Sequence, residues 1–287
     1  MTLQLFNTWE FNIVAYLICN VAFNQFYRLA AKTAKNDGAT TTLLQIMAGL
    51  FILILSPLFP MVFTDSIYVY LVLFIACVFY AINDRINTTT RKHLDVGETS
   101  IISQTTNIFL TLSGLLIFHD PFIRNKIIAV VLIIIGNIIL LYKGRKFAVN
   151  RYVVYQFIST ISMAIALSID IGISKQFNLP FYIMMTLICP AIMIAITERI
   201  SPRAILEQIT PENWKYFGLV SVSWGLLILF ILRSYQLGTV TTIVPFSASS
   251  VLLSVIAAYV FLNEREHVGR KCIAAAFVVL GIVLNVM

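Results

Sequence analysis

Charge is scarce in this sequence. Asp, Glu, Lys and Arg together make up 11% of its 287 residues, where a soluble domain carries about a quarter. Hydrophobic residues make up 59% and the mean hydropathy is +0.90. That is more apolar surface than one water-facing core can cover, so the outside of the molecule must meet lipid. Histidine is rarer still, with His93, His119 and His267 scattered near loops. The four cysteines, Cys19, Cys77, Cys189 and Cys272, each lie inside an apolar run, and none forms a CxxC pair. Neither a zinc site nor a disulfide framework is expected; small buried hydrophobes are. HExxH, GxSxG and P-loop patterns are missing, so no metal, no cofactor and no enzymatic activity are expected. The N-terminal MTLQLFNTWEF has no basic stretch and no small-residue cleavage site, and a removable signal peptide is not expected.

The charges that are present are uneven, with a formal net charge of +7. In a soluble protein this would suggest nucleic acid. Here Lys and Arg sit in short gaps between apolar runs, and no basic stripe is interleaved with exposed aromatics, so nucleic acid is not an expected partner. Membrane orientation explains the charges better.

A membrane helix needs about 20 mostly apolar residues. Ten such runs are present, approximately 11–31, 41–64, 67–86, 99–118, 122–142, 152–174, 179–200, 214–234, 239–262 and 268–287. They do not alternate as lipid-spanning strands do. The expectation is an all-α membrane protein of ten transmembrane helices. The gaps are too short for a soluble domain, and SPRAILEQITPEN (201–213) reads as an interfacial loop.

The runs fall into two sets of five. IFHD, ending at Asp120, aligns with FLNE, ending at Glu264. With one inserted residue, Lys126 aligns with Lys271, Ala129 with Ala274 and Gly136 with Gly281. A duplicated five-helix unit accounts for this, as residues 1–146 and 147–287. Because five is odd, the second copy sits upside down, giving two inverted five-helix repeats, a recurrent plan in transporters. When gaps are assigned alternately to two sides, only Arg124, Lys126, Lys175 and Arg233 fall on one of them. The side rich in Lys and Arg is cytoplasmic, so both termini are expected outside a cell (inner or plasma) membrane.

The layout resembles the drug/metabolite transporter superfamily, in its EamA-like branch. The resemblance spans nearly the whole chain. It is carried by the five-span halves, the acidic stops at Asp120 and Glu264, and the glycines Gly136 and Gly281. SYQLGTVTTIVPFSASSVLLSVIAAYVFLNERE, from Ser234 to Glu266, is the best-matched segment. The chain departs from the pattern at Asp120-Pro121, where the family usually has Glu-Arg or similar, and in the side assigned to its termini. The resemblance implies a solute carrier with a central cavity between its halves, working by alternating access.

Polar side chains inside a span usually face the protein interior or a wet cavity. On the first span Asn12, Tyr16, Asn20, Asn24 and Arg28 recur every four residues, flanked by Phe23 and Tyr27. That stripe reads either as a cavity wall or as helix–helix hydrogen bonding. Ser100, Gln104, Asn107 and Thr111 share one face of the fourth span, and Gln156, Ser159, Met163 and Asp170 nearly one face of the sixth. The candidate wall is Tyr16, Asn20, Asn24, Tyr27, Tyr80, Gln104, Asn107, Gln156, Trp224 and Pro245. Amides both donate and accept, and aromatic rings stack on apolar or cationic bodies, so the cargo would be polar or zwitterionic. Ser247, Ser250 and Ser254 read as close helix packing. Asp170 has two readings, an acid that carries a coupling proton or an interfacial acid solvated or paired with Lys175. Asp84, Arg85, Glu198 and Arg199 read as boundary charges at span ends. Asp120 and Glu264 are expected to accept helix N-terminal amides or to pair with nearby cations. Pro57, Pro190 and Pro245 are expected inside spans.

The expected function is a multi-pass carrier, facilitated or proton-coupled, a monomer or homodimer whose partners are a small-molecule solute and membrane lipid. The alternatives are a carrier of an amphipathic lipid or lipid-linked sugar, a non-transporting membrane partner subunit, or an intramembrane enzyme.

Overall fold

The computed structural model describes residues 6–32, 35–94, 96–141, 150–253 and 268–286. Among the described residues there are eleven helices and no strand. They are α1 (Trp9–Lys32), α2 (Asp37–Leu53), α3 (Ile67–His93), α4 (Val96–Leu116), α5 (Arg124–Leu141), α6 (Arg151–Ile173), α7 (Leu179–Thr197), α8 (Pro202–Leu206), α9 (Trp214–Leu237), α10 (Val240–Ala248) and α11 (Val268–Val286). Glu264, Ser254 and the boundary at 146–147 lie outside the described residues, as do the side chains of Arg28, Gln104, Lys271 and Cys272.

Four helical segments are long and apolar enough to cross a membrane: Ile67–Thr90, Arg151–Gln176, Leu179–Thr197 and Trp214–Leu237. Helix α1 is not among them, because Asn12, Asn20, Asn24 and Gln25 lower its hydropathy. The distribution of side chains reads the same way. Leu71 and Phe74 on α3, Phe157 and Ile161 on α6, and Val279 and Leu280 on α11 point outward, while Asn12, Gln45, Asn137, Asp170 and Asn178 are shut inside. Apolar surface of this extent is untenable in water and ordinary in hydrocarbon.

The ninth span, expected over 239–262, is described only to 253, with α10 ending at Ala248. Of the spans described throughout, two differ from their expected bounds, for opposite reasons. The second ends at Leu53 rather than near 64. Pro57 is therefore not inside a span; it starts a 3-10 turn, Ser56–Leu58. A second proline, Pro60, follows three residues later, and a proline can neither donate to nor fit within a helix interior. The third span instead continues past 86 to His93. Its polar end is held by packing, for Thr88 and Thr90 are buried and His93 stacks on Tyr152 of α6 at 4.0 Å. The interfacial loop contains the short α8. Pro190 and Pro245 do lie within helices, α7 and α10.

Asparagines start several helices. Asn36 caps α2 by accepting from Ala39 N–H, Asn150 caps α6 and Asn178 caps α7, each satisfying amides with no partner inside the helix. Asn178 does more. Its Nδ2 donates to the carbonyls of Ser56, Phe59 and Pro60, and Ser56 Oγ donates to its Oδ1 at 2.8 Å.

The extensive helix pairs are α1 with α9, α5 with α11, α3 with α6, and α2 with α7, with further packing of α2 on α9, α3 on α7 and α4 on α10. The main core gathers Ile52, Leu73, Tyr182, Ile183, Leu232 and Ile243 from α2, α3, α7, α9 and α10. Helices α5 and α11 approach through glycine. A Cβ at Gly136 would lie 3.0 Å from the Ala274 carbonyl oxygen, and one at Gly281 would lie 2.9 Å from the Ala129 carbonyl oxygen. Small residues permit such backbone contact in membranes.

Candidate functional site

The stripe on α1 is a hydrogen-bonded ladder. Asn20 Nδ2 donates to the Tyr16 hydroxyl at 3.2 Å and Asn24 Nδ2 to Asn20 Oδ1 at 2.8 Å. All three side chains are half-buried, and the Tyr16 hydroxyl lies beside Ser250. The spacing of four makes this possible, because such residues stack on one helix face. Asn12 stands apart from the ladder: it is fully buried, and its Nδ2 donates to the carbonyls of Phe6 and Thr8.

Toward the far end of α1, Phe23 joins two candidates. Its ring lies 5.4 Å from Tyr27 and 5.5 Å from Trp224 of α9. Tyr27 is buried with its hydroxyl 3.4 Å from Thr88, which in turn meets Thr41 at 2.7 Å. Trp224 is half-buried.

Asp170 meets neither Lys175 nor water. It is fully buried, and Tyr80 of α3 and Tyr182 of α7 donate to its two oxygens, each at 2.6 Å. Lys175 is exposed on the turn that follows α6. The interfacial reading of Asp170 is thereby corrected: the helix ends at Ile173 and carries the lysine away. Two residues chosen separately, Tyr80 and Asp170, form one constellation. Tyr182 was missed. Its signal is a single fully buried hydroxyl in a strongly apolar helix, which needs a polar partner.

Asp84 is likewise more than a boundary charge. Gln45 Nε2 donates to its Oδ2 at 2.6 Å, Asn83 Nδ2 donates to its Oδ1 at 2.7 Å, and Ser159 Oγ donates to Asn83 Oδ1. This ties α2, α3 and α6 together, and sequence reading missed Gln45 and Asn83. Arg85 and Glu198 form an ion pair between α3 and the end of α7, with both side chains about a third exposed, so it adds little stability.

Gln156 is buried between neighbours, accepting from Thr90 and donating to Ser103. Its amide links α6 to α3 and α4. Asn107 on α4 is half-buried, and its backbone carbonyl accepts from Thr111. Pro245 is buried in α10, and Ser247 and Ser250 are buried nearby. Asp120 behaves as expected of a cap. After a left-handed turn at His119 (φ 53°), its Oδ2 accepts from Thr241 N–H at the start of α10 at 2.9 Å. Lys126 Nζ donates to Thr242 Oγ1 at 2.6 Å.

A separate groove of about 480 Å³ lies between α4 and α5. Ile108, Leu112, Phe122, Val131 and Ile135 line it, and all are exposed on the outer surface.

No protein-family model matches this chain, and no curated protein does. Solved structures do. One, described only as "Crystal structure of protein", superposes with a TM-score of 0.74 over 96% of this chain and 98% of its own, at 15% identity. It is one of 29 solved chains that match. The likeness establishes a shared fold over nearly the full length of both chains.

Proposed function

We propose that the chain is a multi-pass carrier of a small polar or zwitterionic solute, of the drug/metabolite transporter type (EamA-like), working by alternating access. Its ten helices other than α8 would be two inverted repeats, α1–α5 and then α6, α7, α9, α10 and α11. One observation supports this above the rest: the four largest helix pairings survive exchange of the two sets, although the α4–α6 packing has only a slight counterpart in α1–α10. Under that exchange α1–α9 becomes α6–α3 and α2–α9 becomes α7–α3, while α2–α7, α4–α10 and α5–α11 map onto themselves. The reciprocal contacts of Gly136 and Gly281 obey the same exchange. Carriers built this way hold cargo where the repeats meet and rock about that site.

The ladder on α1, the half-buried ring of Tyr80, Asn107 and Trp224 would form the wall. Lys and Arg placement puts both termini outside the cell membrane in this reading. The purified chain in liposomes should take up members of a solute panel. Asn20→Leu with Asn24→Leu should cut that uptake about tenfold or more, the effect of losing roughly two hydrogen bonds. The melting temperature should change little, because the side-chain bonds of Asn20 and Asn24 stay within α1. Undiminished uptake by a correctly inserted double variant rules out the ladder as wall.

The groove between α4 and α5 favours a second reading, a cargo with an apolar tail that stays in lipid while its polar head crosses. Translocation of a fluorescent phospholipid by the same liposomes, in the absence of solute uptake, would select it.

A further inference from the structure

The groups bonded to Asp170 are neutral. Tyr80 and Cys77 approach from α3 and Tyr182 from α7, with Cys189 of α7 beside Cys77 and Asp84 further along α3. Helix α4 meets α6 through Ser113 and Ser168 and brings no titratable group to Asp170. The cation on α9, Arg233, bonds Asn7 and Gln236 instead. No Lys, Arg or His pairs with Asp170 among the described residues.

Two effects oppose each other at this carboxyl. Burial without a counter-cation penalises the anion, whereas two hydroxyl donors stabilise it. When Asp170 is charged, both tyrosines donate to it. When a proton from water bonds to one oxygen, its new O–H needs an acceptor, and the tyrosine oxygen at 2.6 Å is in place. That tyrosine turns its own hydroxyl hydrogen elsewhere, and a charge-assisted bond becomes a weaker neutral one. Tyr182 is fully enclosed, whereas Tyr80 is only half-buried. The looser grip is assigned to Tyr80, whose side chain as a whole is the less enclosed of the two.

The geometry points to a proton-binding switch at Asp170, in which the charged carboxylate grips Tyr80 of α3 and the protonated acid loosens that grip while Tyr182 of α7 stays in place. Helix α3 belongs to the first proposed repeat, and α6 and α7 to the second. Proton occupancy then biases how the halves sit, and a carrier needs that bias to harness a proton gradient. The use made of the switch rests on the carrier reading; its existence does not.

Infrared difference spectra of the intact chain in lipid nanodiscs, taken between acid and alkaline buffer, test it without any cargo. The wild type should show a carboxylic acid band giving way to carboxylate. Asp170→Asn should lose that band and Asp170→Glu should keep one. Tyr80→Phe should keep the acid band and shift the carboxylate band, since the charged form has lost one of its two donors. A wild-type spectrum from which Asp170→Asn removes no carboxylic acid band, the other acidic side chains being common to both, or a Tyr80→Phe spectrum identical to wild type, overturns the switch. The expected bands in a chain that transports nothing leave the switch standing and remove the carrier. Solute uptake in a chain without such a band does the reverse.

Discussion

Placing leucine at Gly281 is expected to lower the melting temperature of the purified chain by roughly 6–12 °C. The reason is local. A Cβ at this position would lie 2.6 Å from Ile133 Cγ1 and 2.9 Å from the Ala129 carbonyl oxygen. Ile133 is fully buried, so it cannot swing aside, and the carbonyl belongs to the backbone of α5. Overpacking of this kind costs about 3 kcal/mol, and three further carbon atoms of leucine find no space. Gly136→Leu should do nearly as much, because its Cβ would meet Ala274 O and Phe277 Cβ, each at 3.0 Å. Gly218→Ala is the control. Nothing lies within 4 Å of its Cβ, so alanine there should leave the melting temperature unchanged or raise it slightly, as the better helix former. A Gly281→Leu protein that melts like wild type would show that α5 and α11 do not pack through these glycines.

Removing the side chain of Asn178 is expected to cost about as much, roughly 3 kcal/mol by the loss of a cap and the stranding of buried partners. Alanine there leaves Phe181 N–H uncapped and Ser56 Oγ without its acceptor, and deprives three carbonyls of their shared donor. Asn178→Asp separates these roles. Aspartate keeps an acceptor for the cap but sets a carboxylate against the carbonyls of Ser56, Phe59 and Pro60, so it should be no better than alanine. Thermal melting of both variants checks this. An aspartate variant as stable as wild type would mean that the link to the 56–60 segment contributes nothing.

Helix placement was largely legible because hydrocarbon demands long apolar runs, and such runs are easily read. The third, seventh and eighth spans start at Ile67, Leu179 and Trp214, where the pattern put them. Reading failed where composition and conformation part ways. Residues 54–63 are apolar enough for a span, yet Pro57 and Pro60 end the helix before them. Residues 87–93 are polar, yet Thr88 and Thr90 are tied to Thr41 and Gln156, so the helix continues. The site was legible as single residues and not as contacts. Spacing placed Tyr16, Asn20 and Asn24 on one face because they share a helix. Nothing in one dimension says that Tyr80 reaches Asp170 across 90 positions, or that Gln45 reaches Asp84. Lys175 was a plausible partner for Asp170 only by nearness in sequence.

The seam between α5 and α11 also constrains any motion of the molecule. Each helix meets a backbone carbonyl of the other across a glycine, with Ile133, Phe277 and Val278 packed hard beside that contact. Sliding one past the other by a single residue would drive a side chain into a peptide carbonyl. This pair therefore behaves as a keel, a rigid element that any motion of the remaining helices would leave intact.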